Sequence, residues 1–173
     1  MCGISGYIGN QKIEDSILKK TLSLMINRGP DSQNIYKVNF KEINVYLLHS
    51  RLSIIDLTEY ANQPFNSYDK TLIFNGEIYN YLELKEKLSK KGYVFKTKSD
   101  TEVLLAAFNE YEEKVFEHLN GMWSFVIWDD KTKLLYLSRD IFGEKPLYLL
   151  KTSHGVYFAS EVKFIKALLN EPL

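Results

Sequence analysis

The sequence predicts an α+β fold built on antiparallel sheets. Helix-like and strand-like stretches are segregated rather than alternating as βαβ units, and consecutive strands are joined by short turns. Aromatic residues are abundant, with 12 Tyr and 10 Phe among 173 residues. Two sheets stacked face to face with helices outside would bury that many rings. The length suits one domain with a substantial core.

The elements follow from local pattern. Cys2 to Ile8 reads as a short strand ending at Gly9. Ile17, Leu18, Leu22 and Met25 recur at helical spacing, predicting a helix over Glu14–Asn27, which Arg28-Gly29-Pro30-Asp31-Ser32 breaks. Strands are predicted at about Gln33–Val38 and at Val45–Leu48, the latter running into Arg51-Leu52-Ser53-Ile54-Ile55, and then at Thr71–Asn75. Tyr81–Lys91 is helical, with Asn80 as its cap, and Ser99-Asp100-Thr101-Glu102 has the form of a capping box before a helix over Thr101–Tyr111. After Gly121 come four apolar runs, Met122–Trp128, Leu134–Ser138, Pro146–Leu150 and Val156–Ala159, then a last helix over Glu161–Leu169.

Bulk properties exclude several classes of function. Twenty-two basic and twenty-two acidic residues cancel, so charge favours neither nucleic acid nor an anionic membrane as partner. One cysteine forms no internal disulfide, and no Cys/His cluster has zinc-ligand spacing, so no metal site is expected. His49, His118 and His154 are scattered and read as surface or loop residues. No signal peptide or apolar run long enough to span a bilayer is seen, and a cytoplasmic protein is expected.

The single cysteine, Cys2, lies directly after Met1. Removal of Met1 would place a thiol and a free α-amine on one residue. Thiols titrate near ~8.5 and α-amines near ~8, so the amine can take the thiol proton and one residue can supply both nucleophile and base. The competing view is a small buried residue in a first strand. A nucleophile that attacks an amide needs donors for the developing oxyanion. Asn75-Gly76 offers a side-chain NH2 and an unshielded backbone N–H, although Asn-Gly is also a common hairpin turn. Arg51, at the end of an apolar strand, suits bidentate binding of a carboxylate or a surface ion pair. Asp100 suits an ammonium group or the dipole of its own helix. Arg28 and Asp31 read as a turn in which the two charges pair with each other.

Together the segments are far more specific. Met1-Cys2-Gly3-Ile4, Arg28-Gly29-Pro30-Asp31, Arg51-Leu52-Ser53-Ile54, Asn75-Gly76-Glu77-Ile78-Tyr79-Asn80 and Ser99-Asp100 occur in order. Gly121-Met122-Trp123-Ser124-Phe125, Arg139-Asp140 with Gly143-Glu144-Lys145-Pro146-Leu147-Tyr148, and Phe158-Ala159-Ser160-Glu161 complete the series. From Met1 to about Leu169 the chain resembles the class II glutamine amidotransferase domain of glutamine-dependent asparagine synthetases. The resemblance implies a four-layer αββα sandwich of the N-terminal-nucleophile hydrolase type, which hydrolyses glutamine to glutamate and ammonia. It makes Cys2 the nucleophile, its freed amine the general base, and Asn75 and Gly76 the oxyanion hole. Arg51 matches the ligand of the glutamine α-carboxylate and Asp100 that of its ammonium, with Ile54 and Glu77 at further contacts. Arg28–Asp31 would shape the wall of the site without a catalytic role.

Such synthetases carry a second, ATP-binding domain that activates aspartate, and residues 1–173 hold no Ser-Gly-Gly-x-Asp-Ser type loop. The expectation is therefore a glutaminase domain without cofactor, from a longer protein or working with a separate synthetase subunit, where ATP and Mg would be bound. L-glutamine and that synthetase domain are the expected partners. The alternatives are a non-catalytic glutamine- or partner-binding module of the same fold, or an amidotransferase with a different acceptor.

Overall fold

The computed structural model describes residues 1–172. Its strands are β1 (Gly3–Gly9), β2 (Ser32–Phe40), β3 (Ile43–Arg51), β4 (Phe65–Ser67), β5 (Lys70–Ile78), β6 (Gly121–Asp129), β7 (Leu134–Arg139), β8 (Tyr148–Lys151) and β9 (Gly155–Ala159). The helices are α1 (Asp15–Leu24), α2 (Tyr81–Lys90), α3 (Asp100–Tyr111) and α4 (Val162–Leu168). Strands β2-β3-β1-β9-β8 form one sheet and β4-β5-β6-β7 a second, with antiparallel pairing throughout.

The period-two alternation of strand side chains assigns each face to a layer. Ile4, Val45, Leu47 and Phe158 of the first sheet meet Ile73, Val126 and Trp128 of the second, making the central apolar layer. On the reverse of the first sheet, Tyr7, Tyr46, Leu48 and Tyr157 pack under Leu18 of α1 and Phe164, Ile165 and Leu168 of α4. On the reverse of the second, Leu72, Phe74, Ile78, Phe125 and Ile127 pack under α2 and α3. The result is the four-layer αββα sandwich that the sequence predicts. No helix is long and apolar enough to cross a membrane.

Several local expectations change. β5 does not stop at Asn75 but pairs with β6 as far as Ile78 opposite Gly121, so Asn75-Gly76 lies inside a strand and forms no hairpin turn. Asn80 precedes α2 without capping it, because its side chain bridges the His118 carbonyl and the Asn120 N–H instead. The capping box at α3 is half made. Ser99 Oγ accepts from Thr101 N–H at 3.1 Å, but Glu102 turns to Lys96, to the Thr97 N–H and to the Thr97 hydroxyl. Glu102 thus staples the preceding loop to the helix rather than closing a reciprocal cap. Arg28 does not pair with Asp31: Arg28 bridges to Glu161 at 3.1 Å, and Asp31 accepts the Ser53 N–H at 2.7 Å. His49 is not a surface residue but fully buried in β3. Its Nε2 lies 3.1 Å from the Phe74 carbonyl, tying the two sheets together, and burial lowers its pKa to about 3.

Candidate active site

The site forms where the ends of β1, β3 and β5 and the start of α3 converge. A cavity of about 140 Å³ is lined there by Cys2, Arg51, Ile54, Asn75, Gly76, Glu77 and Asp100, among others. All the residues singled out in the sequence for nucleophile, oxyanion and substrate roles therefore meet at one place, although they come from segments far apart in the chain. Among the described residues no cluster of His, Cys, Asp and Glu is placed to hold a metal ion.

Cys2 sits just before β1, and its Sγ lies 3.4 Å from the Leu52 N–H and 3.7 Å from the Leu52 carbonyl. Burial pushes the thiol above its ordinary pKa, against the Leu52 hydrogen bond and the positive charges of the N-terminus and Arg51. A thiol held up in this way needs a base beside it to become a nucleophile at neutral pH. Arg28 steadies the residue from behind: its Nε donates to the Cys2 carbonyl at 2.8 Å while Glu161 holds the guanidinium. The sequence suggested no such link, since Arg28 and Cys2 are joined by nothing local.

Two donors face the cavity without a protein acceptor. The Asn75 side chain is 1% exposed, yet its Nδ2 has no hydrogen-bond partner among the described residues. The Gly76 N–H owes its freedom to strand parity. Trp123, opposite Gly76, directs its N–H and carbonyl away from β5 toward Asp140, so the Gly76–Trp123 pair is of the non-hydrogen-bonded kind. The N–H of Gly76 thus points to the open edge of β5, the same edge on which Phe74 N–H donates to Gln63 and Ile78 N–H to Asp100. Those two neighbours are satisfied, and the one between them faces the cavity. Gly76 is also fixed by packing, because a Cβ there would lie 2.2 Å from the Met122 carbonyl oxygen.

Arg51 is gripped by the loop that follows β3. Nη1 donates to the Thr58 carbonyl and to Asn62 Oδ1, both at 2.8 Å, and Nη2 to the Asp56 carbonyl. Of the five N–H donors of a guanidinium, this leaves two, including Nε–H, for a carboxylate. Asp56 in turn holds the loop by accepting from Thr58 and from the Lys98 N–H. Ile54 lines the cavity while 73% exposed, and Glu77 stands exposed at its mouth.

Asp100 is 5% exposed. Burial raises its pKa to about 6 and nearby Glu77 adds to the rise, while hydrogen bonds from the Ile78 and Thr101 N–H groups and Ser99 act against it. Desolvation without a cation partner is the state of an anion ready to receive an ammonium. The folded protein holds a proton on Asp100 that the unfolded chain releases between about 4 and about 6, so this group's contribution is lost as pH climbs through that window and stays lost above it. Asp100→Asn should therefore raise Tm at pH 7.5, measured by calorimetry. The same substitution should raise the KM for an α-amino-acid substrate by roughly 30-fold, the scale of a lost buried charge pair.

The chain is similar to known proteins in both sequence and fold. Residues 1–172 match the sequence profile described as "Glutamine amidotransferase domain". The chain is 42% identical to asparagine synthetase (glutamine-hydrolyzing) 1 of Bacillus subtilis strain 168, over 99% of this chain and 27% of that protein. It is 39% identical to asparagine synthetase (glutamine-hydrolyzing) of Zea mays, over 94% of this chain and 28% of that one. The chain thus spans little more than a quarter of the length of these relatives. Among solved structures, glutamine phosphoribosylpyrophosphate amidotransferase from B. subtilis shares the fold, with a TM-score of 0.80 at 20% identity, over 96% of this chain and 43% of that one. The chain belongs to the glutamine amidotransferase domain family.

Proposed function

We propose that this chain is a glutaminase that hydrolyses L-glutamine to glutamate and ammonia through a thioester on Cys2. The observation that carries the proposal is a pair of donors on the wall of the cavity that contains the Cys2 thiol: Asn75 Nδ2, buried without a partner among the described residues, and the Gly76 N–H, which strand parity turns away from β6. Among the described residues five buried side-chain polar atoms lack a partner, on Ser5, Arg28, His49, Ser50 and Asn75. Of these only Asn75 lines the cavity with Cys2, where an oxyanion beside the nucleophile would complete it.

Glutamine binds with its α-carboxylate on Arg51 and its α-ammonium on Asp100, which leaves the side-chain amide directed at Cys2. Ile54 and Glu77 close the mouth. The freed amine of Cys2 takes the thiol proton as sulfur attacks the amide carbon, and Asn75 and Gly76 hold the oxyanion. Collapse breaks the C–N bond, and the protonated amine gives its proton to the departing ammonia. Water, deprotonated by the same amine, then attacks the γ-glutamyl thioester and releases glutamate and the thiol. The chain's own groups supply every proton transfer, and none of these steps calls for a cofactor.

In the whole protein the ammonia would pass to an asparagine-forming synthetase portion, as the names of the relatives suggest; activation of aspartate by ATP there is part of the same proposal. A reactive thiol suits a reducing compartment, so the cytoplasm is the proposed location.

Cys2 can serve this scheme only after Met1 is removed, because in the chain as written its nitrogen is part of a peptide bond. Intact mass together with ammonia release from glutamine tests the reading. The expected result is a mass lacking Met1 and sustained release of one ammonia per glutamate. A processed, folded protein that releases no ammonia would overturn it.

A further inference from the structure

The loop between β7 and β8 carries one of the sequence segments quoted above, Arg139-Asp140 with Gly143 to Tyr148, and the scheme just described gives it no task. Its construction is elaborate. The Asp140 carboxylate accepts the N–H groups of Trp123, Glu144 and Lys145, and the Asp140 carbonyl accepts that of Gly143. Arg139 donates to the carbonyls of Gly143 and Lys145. Gly143 adopts a φ of +66° and lies so close to the Arg139 guanidinium that a Cβ there would be 2.7 Å from it. The apolar tip, Ile141 and Phe142, projects outward, 91% and 88% exposed. The residue that this bracing delivers inward is Lys145, which is 7% exposed and lines the same cavity as Cys2.

The Lys145 ammonium meets Met1 Sδ at 3.3 Å and forms no ion pair among the described residues. A thioether is a weak acceptor and a poor partner for a buried cation. Met1 is also the residue whose departure creates the amine of Cys2, and Lys145 lines the cavity that both Met1 and Cys2 line. The other charged groups around the position are already engaged. Arg28 pairs with Glu161, Arg51 is held by its loop, and Asp56 binds Thr58 and Lys98. Asp140 is occupied by backbone N–H groups, Glu144 shares the loop of Lys145, Asp100 faces the substrate side, and Glu77 is exposed at the mouth.

We propose that Lys145 is a positioning residue for the reaction, its ammonium holding the freed α-amine of Cys2 in the neutral, proton-accepting form. This inference rests on the glutaminase reading. An α-amine titrating near ~8 is only about one-tenth neutral at pH 7, whereas lowering it by about one unit makes roughly half of it neutral. A fixed like charge nearby, in a cavity that excludes water, acts in that direction.

The test is the pH dependence of kcat/KM for glutamine in this chain after Met1 removal, comparing wild type with K145M, K145E and K145R. The acid limb assigned to the amine should move up by roughly one unit in K145M and further in K145E. It should return to the wild-type position in K145R, with the KM at alkaline pH unchanged. The limb near 6 from Asp100 should stay in place in all four proteins. An amine limb unmoved in K145M and K145E would overturn the proposal. Should those variants not fold, NMR titration of the wild type labelled with 13C at Cys2 decides it: the amine should titrate below the ordinary value of ~8, and a value at or above it overturns the proposal. That titration needs no turnover. Loss of ammonia release by processed wild type would therefore defeat the glutaminase reading separately.

Discussion

Cys2→Ala should lower ammonia release from glutamine by on the order of 10⁴-fold or more, the scale seen when the nucleophile of a covalent hydrolase is removed. The fold should be indifferent to the change. Sγ contributes two long contacts, both to Leu52, and the residue is only partly buried. Binding should survive as well, because Arg51 and Asp100 owe their positions to the loop 52–63 and to the N-terminus of α3 rather than to the thiol. Calorimetric titration of the processed variant with glutamine should thus give a Kd within a few-fold of the wild-type KM while turnover vanishes. Cys2→Ser should fall between the two, since the amine remains but a hydroxyl is a weaker nucleophile. Turnover within tenfold of wild type by Cys2→Ala would exclude the thioester route.

The layers of this fold are legible in the sequence because each strand carries its own alternation. Val45 and Leu47 face one way and Tyr46 and Leu48 the other, which suffices to place β3 between two apolar layers. The hairpin joining β4 to β5 was not legible. Ser67 pairs with Lys70 across Tyr68 and Asp69, both with φ of 55°, and a tyrosine at positive φ lacks the glycine or asparagine signature by which such turns are read. At the site, the residues Cys2, Arg51, Asn75, Gly76 and Asp100 could be named from motifs, but the freedom of the Gly76 N–H could not. It depends on which side of β5 is paired, a property of the sheet and not of any segment. The same holds for Arg28, whose partners Cys2 and Glu161 lie 26 and 133 residues away. The burial of His49 was hidden because a lone polar residue near a strand end reads as solvent-facing until a carbonyl from the opposite sheet is seen to meet it. Side-chain type is legible along the chain, whereas tertiary pairing is not.

Asn75→Ala should separate catalysis from stability. Losing one oxyanion donor costs about 100- to 1,000-fold in kcat, or roughly 3–4 kcal/mol of transition-state stabilisation, with KM little changed because the donor acts on charge that develops only during the reaction. Ordinary removal of a buried hydrogen-bonding side chain also destabilises the fold by about 1–3 kcal/mol, since a partner is left unsatisfied. Nδ2 of Asn75 has no partner to abandon. The folded state carries the desolvation of that donor without return until substrate arrives, so its removal offsets part of the loss from the cavity it leaves. Tm should then move by no more than a few degrees in either direction as activity collapses. Gly76→Ala offers the contrast at the neighbouring position. Its Cβ would press on the Met122 carbonyl, the Phe74 ring and Trp123 Cα, at 2.2, 2.6 and 2.8 Å, so activity and Tm should fall together. If Asn75→Ala lost stability in step with activity, as Gly76→Ala should, Asn75 would be a structural residue and the oxyanion site would have to be sought elsewhere. A stable Asn75→Ala that binds glutamine normally and fails only in turnover is the outcome that an unpaired donor inside a strand requires.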